Sequence, residues 1–149
     1  MAKLCSFRVE NPSGATPSAV YDTLIDVKNW TSWMPSLIDG YWERPGDSET
    51  GIGGIRGTRS RLLGVKMNLR EEILDGSRPQ FHSYKILSPP PGMKGYQASV
   101  VIEPRPDGCL IVWSGTFTCL APGLGRLLQA AVRAHIARLA AALAQAAEH

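Results

Sequence analysis

Apolar and polar positions alternate from the start of the chain. Cys5, Phe7 and Val9 fall on one side of residues 3–10 and Ser6, Arg8 and Glu10 on the other, which predicts a half-buried strand. Asn11-Pro12-Ser13-Gly14 reads as its end. Thr16-Pro17 then supplies an N-cap and a proline at the first helical position, where a missing N–H costs nothing. Val20, Leu24 and Val27, with Tyr21 and Ile25 beside them, form the stripe of a short helix. Trp30, Trp33 and Met34 suggest a second brief helical piece ended by Pro35, its aromatics a core plug.

From about residue 38 to 120 the chain alternates strand runs with turn signals. Breaks fall at Pro45-Gly46, Leu63-Gly64, Asp75-Gly76, Ser88-Pro89-Pro90-Pro91-Gly92 and Pro106-Asp107-Gly108. Strands are predicted near 38–44, 52–61, 66–74, 80–87, 96–104 and 109–120, seven with the first. Connections this short imply an antiparallel meander. After Pro122-Gly123 an alanine- and leucine-rich helix runs from about 124 to 147. Leu124, Leu128, Val132, His135, Ile136, Leu139 and Leu143 lie along one face. At ~1.5 Å per residue it is long enough to cross the whole domain. The pattern is α+β, in one domain over residues 1–149.

Composition narrows the function classes. The chain is 44% hydrophobic and 19% charged with net charge +3, an ordinary globule whose cations are scattered rather than clustered, so no nucleic-acid partner is expected. No run approaches the ~20 apolar residues of a membrane span, and the N-terminus lacks a secretory pattern, so a cytoplasmic protein without a span is expected. Cys5, Cys109 and Cys119 have no metal-ligand spacing and read as buried free thiols, with Cys5 and Cys119 brought near each other if the first and last strands are neighbours. His82, His135 and His149 form no ligand pair. No metal and no cofactor are expected.

Strand parity points to a candidate site. In 66–74, Met67, Leu69, Glu71 and Ile73 share the inner face, which leaves Glu71 as a carboxylate on an apolar surface. Folding the preceding strand back about Leu63-Gly64 pairs Ser60 with Met67, Thr58 with Leu69 and Arg56 with Glu71. The same register sets Arg61 opposite Lys66 on the outer face, where both reach water. An inward carboxylate needs a partner, and the guanidinium of Arg56 supplies one. Two readings stand: a polar anchor for a ligand carboxylate, carbonyl or phenol, and a structural ion pair closing one end of the barrel.

The order of elements resembles the START-related, birch-pollen-allergen-like superfamily, and within it the polyketide cyclase/dehydrase and lipid-transport branch. The landmarks are Pro17, Val20-Tyr21, Trp30 and Trp33-Met34-Pro35, then Gly51-Ile52-Gly53-Gly54-Ile55-Arg56 and Glu71-Glu72-Ile73-Leu74. Ser83-Tyr84-Lys85-Ile86, Gly95-Tyr96 and Val112-Trp113-Ser114-Gly115-Thr116-Phe117 complete them. The resemblance spans nearly the whole chain and rests on the joint spacing. It implies a helix-grip fold, a seven-stranded curved antiparallel sheet wrapped around the C-terminal helix, with two short helices after the first strand. Plant abscisic acid receptors are similar from Arg56 to Tyr96. Their gate loop is cut here to about Leu63-Gly64, and Pro89-Pro90-Pro91-Gly92 stands where they carry a His-Arg-Leu latch.

The resemblance implies a hydrophobic ligand of lipid, polyketide or aromatic-acid type between sheet and helix. In 80–87, His82, Tyr84 and Ile86 share the parity of the family's inward tyrosine. Tyr96, Trp113 and Phe117 add wall, and Leu128, Val132, His135 and Leu139 face them from the helix. The ligand-binding set is therefore Arg56, Thr58, Met67, Leu69, Glu71, His82, Tyr84, Tyr96, Trp113, Phe117, Leu128, Val132, His135 and Leu139. Arg56, Glu71, His82, Tyr84 and His135 are the acid–base candidates. A carrier is the first reading, an aromatase/cyclase working by proximity the second, and an interaction module with a collapsed cavity the third. A monomer and a homodimer are both compatible with the sequence. The glycines before Arg56 fail as a dinucleotide fingerprint, because Arg56 fills the last position and a strand follows.

Overall fold

Alternation at the N-terminus runs further than its turn residues suggest. The computed structural model describes residues 2–34, 36–62 and 65–149, and in it β1 spans Lys3–Ser13, past the expected end at residue 10. Pro12 is tolerated because β1 is an edge strand, paired on one side only, with β7 (Gly108–Cys119). α1 (Pro17–Ile25) starts as expected, with Thr16 Oγ1 accepting from the Ala19 N–H at 3.2 Å. A 3-10 helix follows at Val27–Ser32, ending before the Trp33-Met34 expected in it. The stop assigned to Pro35 lies outside the described residues.

The sheet continues with β2 (Leu37–Arg44), β3 (Ile55–Leu62), β4 (Val65–Ser77), β5 (Phe81–Ile86) and β6 (Met93–Arg105). All pairings are antiparallel, in the order β1-β7-β6-β5-β4-β3-β2. Two expected boundaries are corrected. β3 begins at Ile55 rather than 52, because Gly51 and Gly53 take positive φ (78° and 83°) in a turn. β4 does not break at Asp75-Gly76 but passes through it, with a register shift between Ile73 and Asp75 that sets Asp75 opposite Ser83 and Gly76 opposite His82. The Leu63-Gly64 turn lies outside the described residues; Arg61 faces Lys66 across it, as the register requires. Cys5 lies opposite Phe117 and Cys119 opposite Lys3, and all three cysteines are free and buried.

α2 spans Gly125–Ala146 and lies mainly along β1, with lighter contacts to β7 and α1. The expected inward stripe is corrected here. Ile136, Ala140, Leu143 and Ala144 are its buried residues beyond Gly125, all in the second half. Leu128, Val132 and Leu139 are half-buried, His135 is exposed, and Leu124 stands ahead of the helix at 50% exposure. Ser13 Oγ donates to the Ala144 carbonyl at 2.9 Å, and the Gly14 N–H to Glu148 Oε2 at 3.1 Å, so the helix is tied down at its C-terminal end. By length and composition α2 is also long and apolar enough to cross a membrane (mean hydropathy 1.3 over an 18-residue window), contrary to the reading that no segment approaches this, because its alanines count as apolar.

This seating predicts an asymmetry along one helix. Leu143→Ala removes a fully buried side chain and is expected to cost about 2–5 kcal/mol, whereas Leu127→Ala, at 69% exposure, should stay within about 0.5 kcal/mol. Urea unfolding midpoints check both.

Candidate functional site

The site is built on the pairing of Arg56 in β3 with Glu71 in β4, directly opposite each other and both inward. Arg56 is 1% exposed, and its Nε donates to Glu71 Oε1 at 2.7 Å. Its Nη1 lies 3.1 Å from His82 Nε2 on β5. A guanidinium can only donate, so Nε2 accepts and the His82 proton sits on Nδ1. That Nδ1 is buried with no hydrogen-bond partner. The Arg56 guanidinium also lies 4.7 Å from the Trp30 ring centroid and 4.8 Å from that of Tyr84. The buried charge thus meets a carboxylate, an imidazole and two π faces, the environment that suits arginine rather than lysine.

Behind Tyr84 the interior is filled. Trp113 Nε1 donates to Tyr84 Oη at 3.2 Å, and the Tyr84 and Tyr96 hydroxyls are 3.1 Å apart. Tyr96 stacks on Phe7 and Phe117, with centroids 5.8 and 6.5 Å away. Burial, and then the Glu71 charge, raise the Tyr84 pKa; burial, and then Tyr84, raise that of Tyr96. Both phenols stay protonated near neutrality. Burial, and then the Arg56 charge, push His82 well below the ordinary histidine range, so its ring is neutral.

Of the expected site residues, the structure brings Arg56, Glu71, His82, Tyr84, Tyr96, Trp113 and Phe117 together, and all except Glu71 are buried. Thr58 is buried beside them, opposite Leu69. Met67 and Leu69 face inward yet are only half-buried, as are Leu128, Val132 and Leu139 on α2. Leu128, Val132 and Leu139 nevertheless pack against the core, and Gln129 Nε2 donates to the Ser6 carbonyl, so the first half of α2 also rests on β1.

His135 lies on the solvent side of α2. It is exposed rather than a buried inward residue, yet surrounding protein lowers its pKa, Arg138 lowers it further and Glu71 raises it. Glu71 has 13% of its side chain exposed, and its Oε2 accepts no hydrogen bond from any described residue.

Sequence reasoning missed the partners that come from outside the central strands. Trp30 caps the Arg56 guanidinium, Phe7 backs Tyr96, and Tyr21 meets His82 edge-on at 6.4 Å. The signal for Trp30 was there: a buried arginine needs more than one partner, and a tryptophan plug nearby is a candidate. A separate open depression of about 680 Å³ lies on the outer sheet face, lined by Ser6, Arg8, Ser83, Ser99, Ser114 and Arg133 among others. None of the expected site residues lines it.

The fold is that of the START-related, birch-pollen-allergen-like superfamily, with its C-terminal helix set against a curved antiparallel sheet. The chain belongs to the family described as polyketide cyclase / dehydrase and lipid transport, which matches residues 5–148. No curated protein matches it. Similar solved structures include Ara h 8.0201 (16% identity, TM-score 0.80, covering 98% of this chain and 99% of that one). A START superfamily protein from Mycobacterium smegmatis has 14% identity and TM-score 0.78, with 97% of each chain covered. The Zhui aromatase/cyclase from Streptomyces sp. R1128 has 16% identity and TM-score 0.74, covering 99% of this chain and 94% of that one. At such identities the likeness shows the fold alone.

A pH dependence follows from the His82 geometry. Its folded pKa lies below the unfolded value of about 6.5, so the unfolded chain takes up the proton first. Stability is then full above that value and falls as pH drops from about 6.5 toward the folded pKa, by up to ~1.4 kcal/mol per unit for one group. His135 adds a contribution of the same sign. Urea midpoints between pH 7 and 5 should fall in the parent, fall less in His82→Gln, and still show the His135 part there.

Proposed function

We propose that the chain binds a hydrophobic small molecule of lipid, polyketide or aromatic type between β4 and the first half of α2, as a carrier. The observation that carries this reading is Glu71: a carboxylate bound on one oxygen to a sealed arginine, its other oxygen without a hydrogen bond among the described residues, on a side chain 13% exposed beside half-buried Met67 and Leu69 of the same strand face. Met67, Leu69, Leu128, Val132 and Leu139 supply apolar wall worth about 25 cal/mol per Å² of ligand surface covered. Glu71 Oε2 would accept from a ligand hydroxyl or phenol. A ligand carboxylate fits less well, because the Arg56 guanidinium that would attract it is buried behind Glu71.

The family description covers both lipid transport and cyclisation, and the protonation states favour the first. His82, Tyr84 and Tyr96 are sealed, the ring neutral and the phenols hard to ionise. A cyclase in this chain would have to work with Glu71 and His135, the acid–base candidates that water reaches.

Uptake of an apolar naphthylamine dye and of a long-chain phenol, followed by fluorescence and native mass spectrometry, tests the reading. Val132→Trp should fill the space and lower affinity for both about tenfold or more. Glu71→Gln should weaken the phenol by about tenfold, the scale of a hydrogen bond to a charged group, and leave the dye nearly unchanged. No uptake by the parent would mean a collapsed interior and end the proposal. Turnover of a linear polyketone mimic, lost in both Glu71→Gln and His135→Gln, would replace the carrier by a cyclase.

A further inference from the structure

The most exposed leucines and a group of unmatched cations gather at one end of the molecule. The register places the start of β1, the end of β7, the start of β6 and the β3–β4 hairpin at the same end. The N-terminus of α2 joins them, since Gly125 lies against Lys3, and the Leu120 N–H donates to the Gly92 carbonyl at 2.8 Å. Around this end Leu120, Leu124 and Leu127 are 45%, 50% and 69% exposed, with Leu4 and Ile38 also exposed.

The charged side chains between them are of one sign. Lys3, Arg61, Lys66, Lys94 and Arg126 are all exposed and make no salt bridge among the described residues. The acid at this end, Asp39, lies 3.7 Å from Arg59 and is matched by it. The carboxylates of Glu10, Asp75, Glu103, Asp107 and Glu148 gather at the opposite end, at the far limits of β1, β4, β6 and α2. A net charge of only +3 conceals this separation.

Exposed leucines ringed by unmatched lysine and arginine fit one kind of surface. The leucines would enter the boundary between headgroups and acyl chains while the cations meet anionic headgroups, and neither contribution suffices alone. We infer that this end of the molecule docks reversibly on anionic lipid bilayers through Leu120, Leu124 and Leu127 with Lys3, Lys94 and Arg126. A second copy of the chain fits less well, since two such ends would bring like charges together. The inference does not depend on what the interior holds.

The test is co-sedimentation of the whole protein with vesicles of phosphatidylcholine alone and with about 30% phosphatidylglycerol. Binding is expected to the anionic vesicles only, and to fall steeply from about 0.1 M to about 1 M salt, where the Debye length shrinks from ~10 to ~3 Å. Lys94→Gln and Arg126→Gln should each weaken it about fivefold. The double variant Leu124→Glu, Leu127→Glu should lower it more than tenfold, and Arg105→Gln at the opposite end should leave it unchanged. All these positions are exposed, and circular dichroism confirms folding. No binding to anionic vesicles, binding indifferent to these substitutions, or a solution dimer that Leu127→Glu dissociates and that does not sediment with vesicles would each overturn the inference.

Discussion

A guanidinium with 1% exposure sets the terms for the rest of this fold. Removing such a charge from water costs several kcal/mol even after relaxation, and the charge is retained only where its surroundings answer it on every side. Here the answer comes from three separate pieces of chain: Glu71 on β4, His82 and Tyr84 on β5, and Trp30 on the 3-10 helix. β3, β4 and β5 must hold their register for the two hydrogen bonds to form. The 3-10 helix must fold down over the sheet for Trp30 to reach. A single arginine thereby couples the short helices near the N-terminus to the middle of the meander.

The same constraint sorts the candidate groups by what they can do. His82 is held neutral, with its accepting nitrogen committed to Arg56, and Tyr84 and Tyr96 are tied to each other and to Trp113. Residues that look reactive in a list become framework once their partners are known. Glu71 differs because Arg56 holds one of its oxygens, while the other accepts no hydrogen bond from any described residue and 13% of the side chain is exposed.

Much of this was legible in the residues. Period-2 alternation placed Met67, Leu69, Glu71 and Ile73 on one face, and a two-residue turn fixed Arg56 opposite Glu71, because parity and hairpin length leave little freedom. Helical periodicity was less informative for α2. A 3.6-residue repeat reports which residues share a face, not where along the axis that face meets the sheet. His135 falls at the edge of the stripe that meets the sheet, so it is reached by water while Ile136 beside it is buried. Trp30 and Arg56 are distant in sequence, and no local pattern announces a cation–π contact between them. The continuation of β1 through Pro12 depended on β1 lying at an edge, a fact of topology rather than of composition.

The exposed apolar surface and the charge of one end have a common origin. α2 buries Ile136, Leu143 and Ala144 and packs Leu128 and Val132 against the core, which leaves Leu124 and Leu127 near its start exposed to water. Exposed leucines at a helix start would be a liability in water if their surroundings were neutral. Lys3, Lys94 and Arg126 keep that end strongly hydrated and mutually repelling, which disfavours self-association while leaving an anionic apolar surface as a compatible partner.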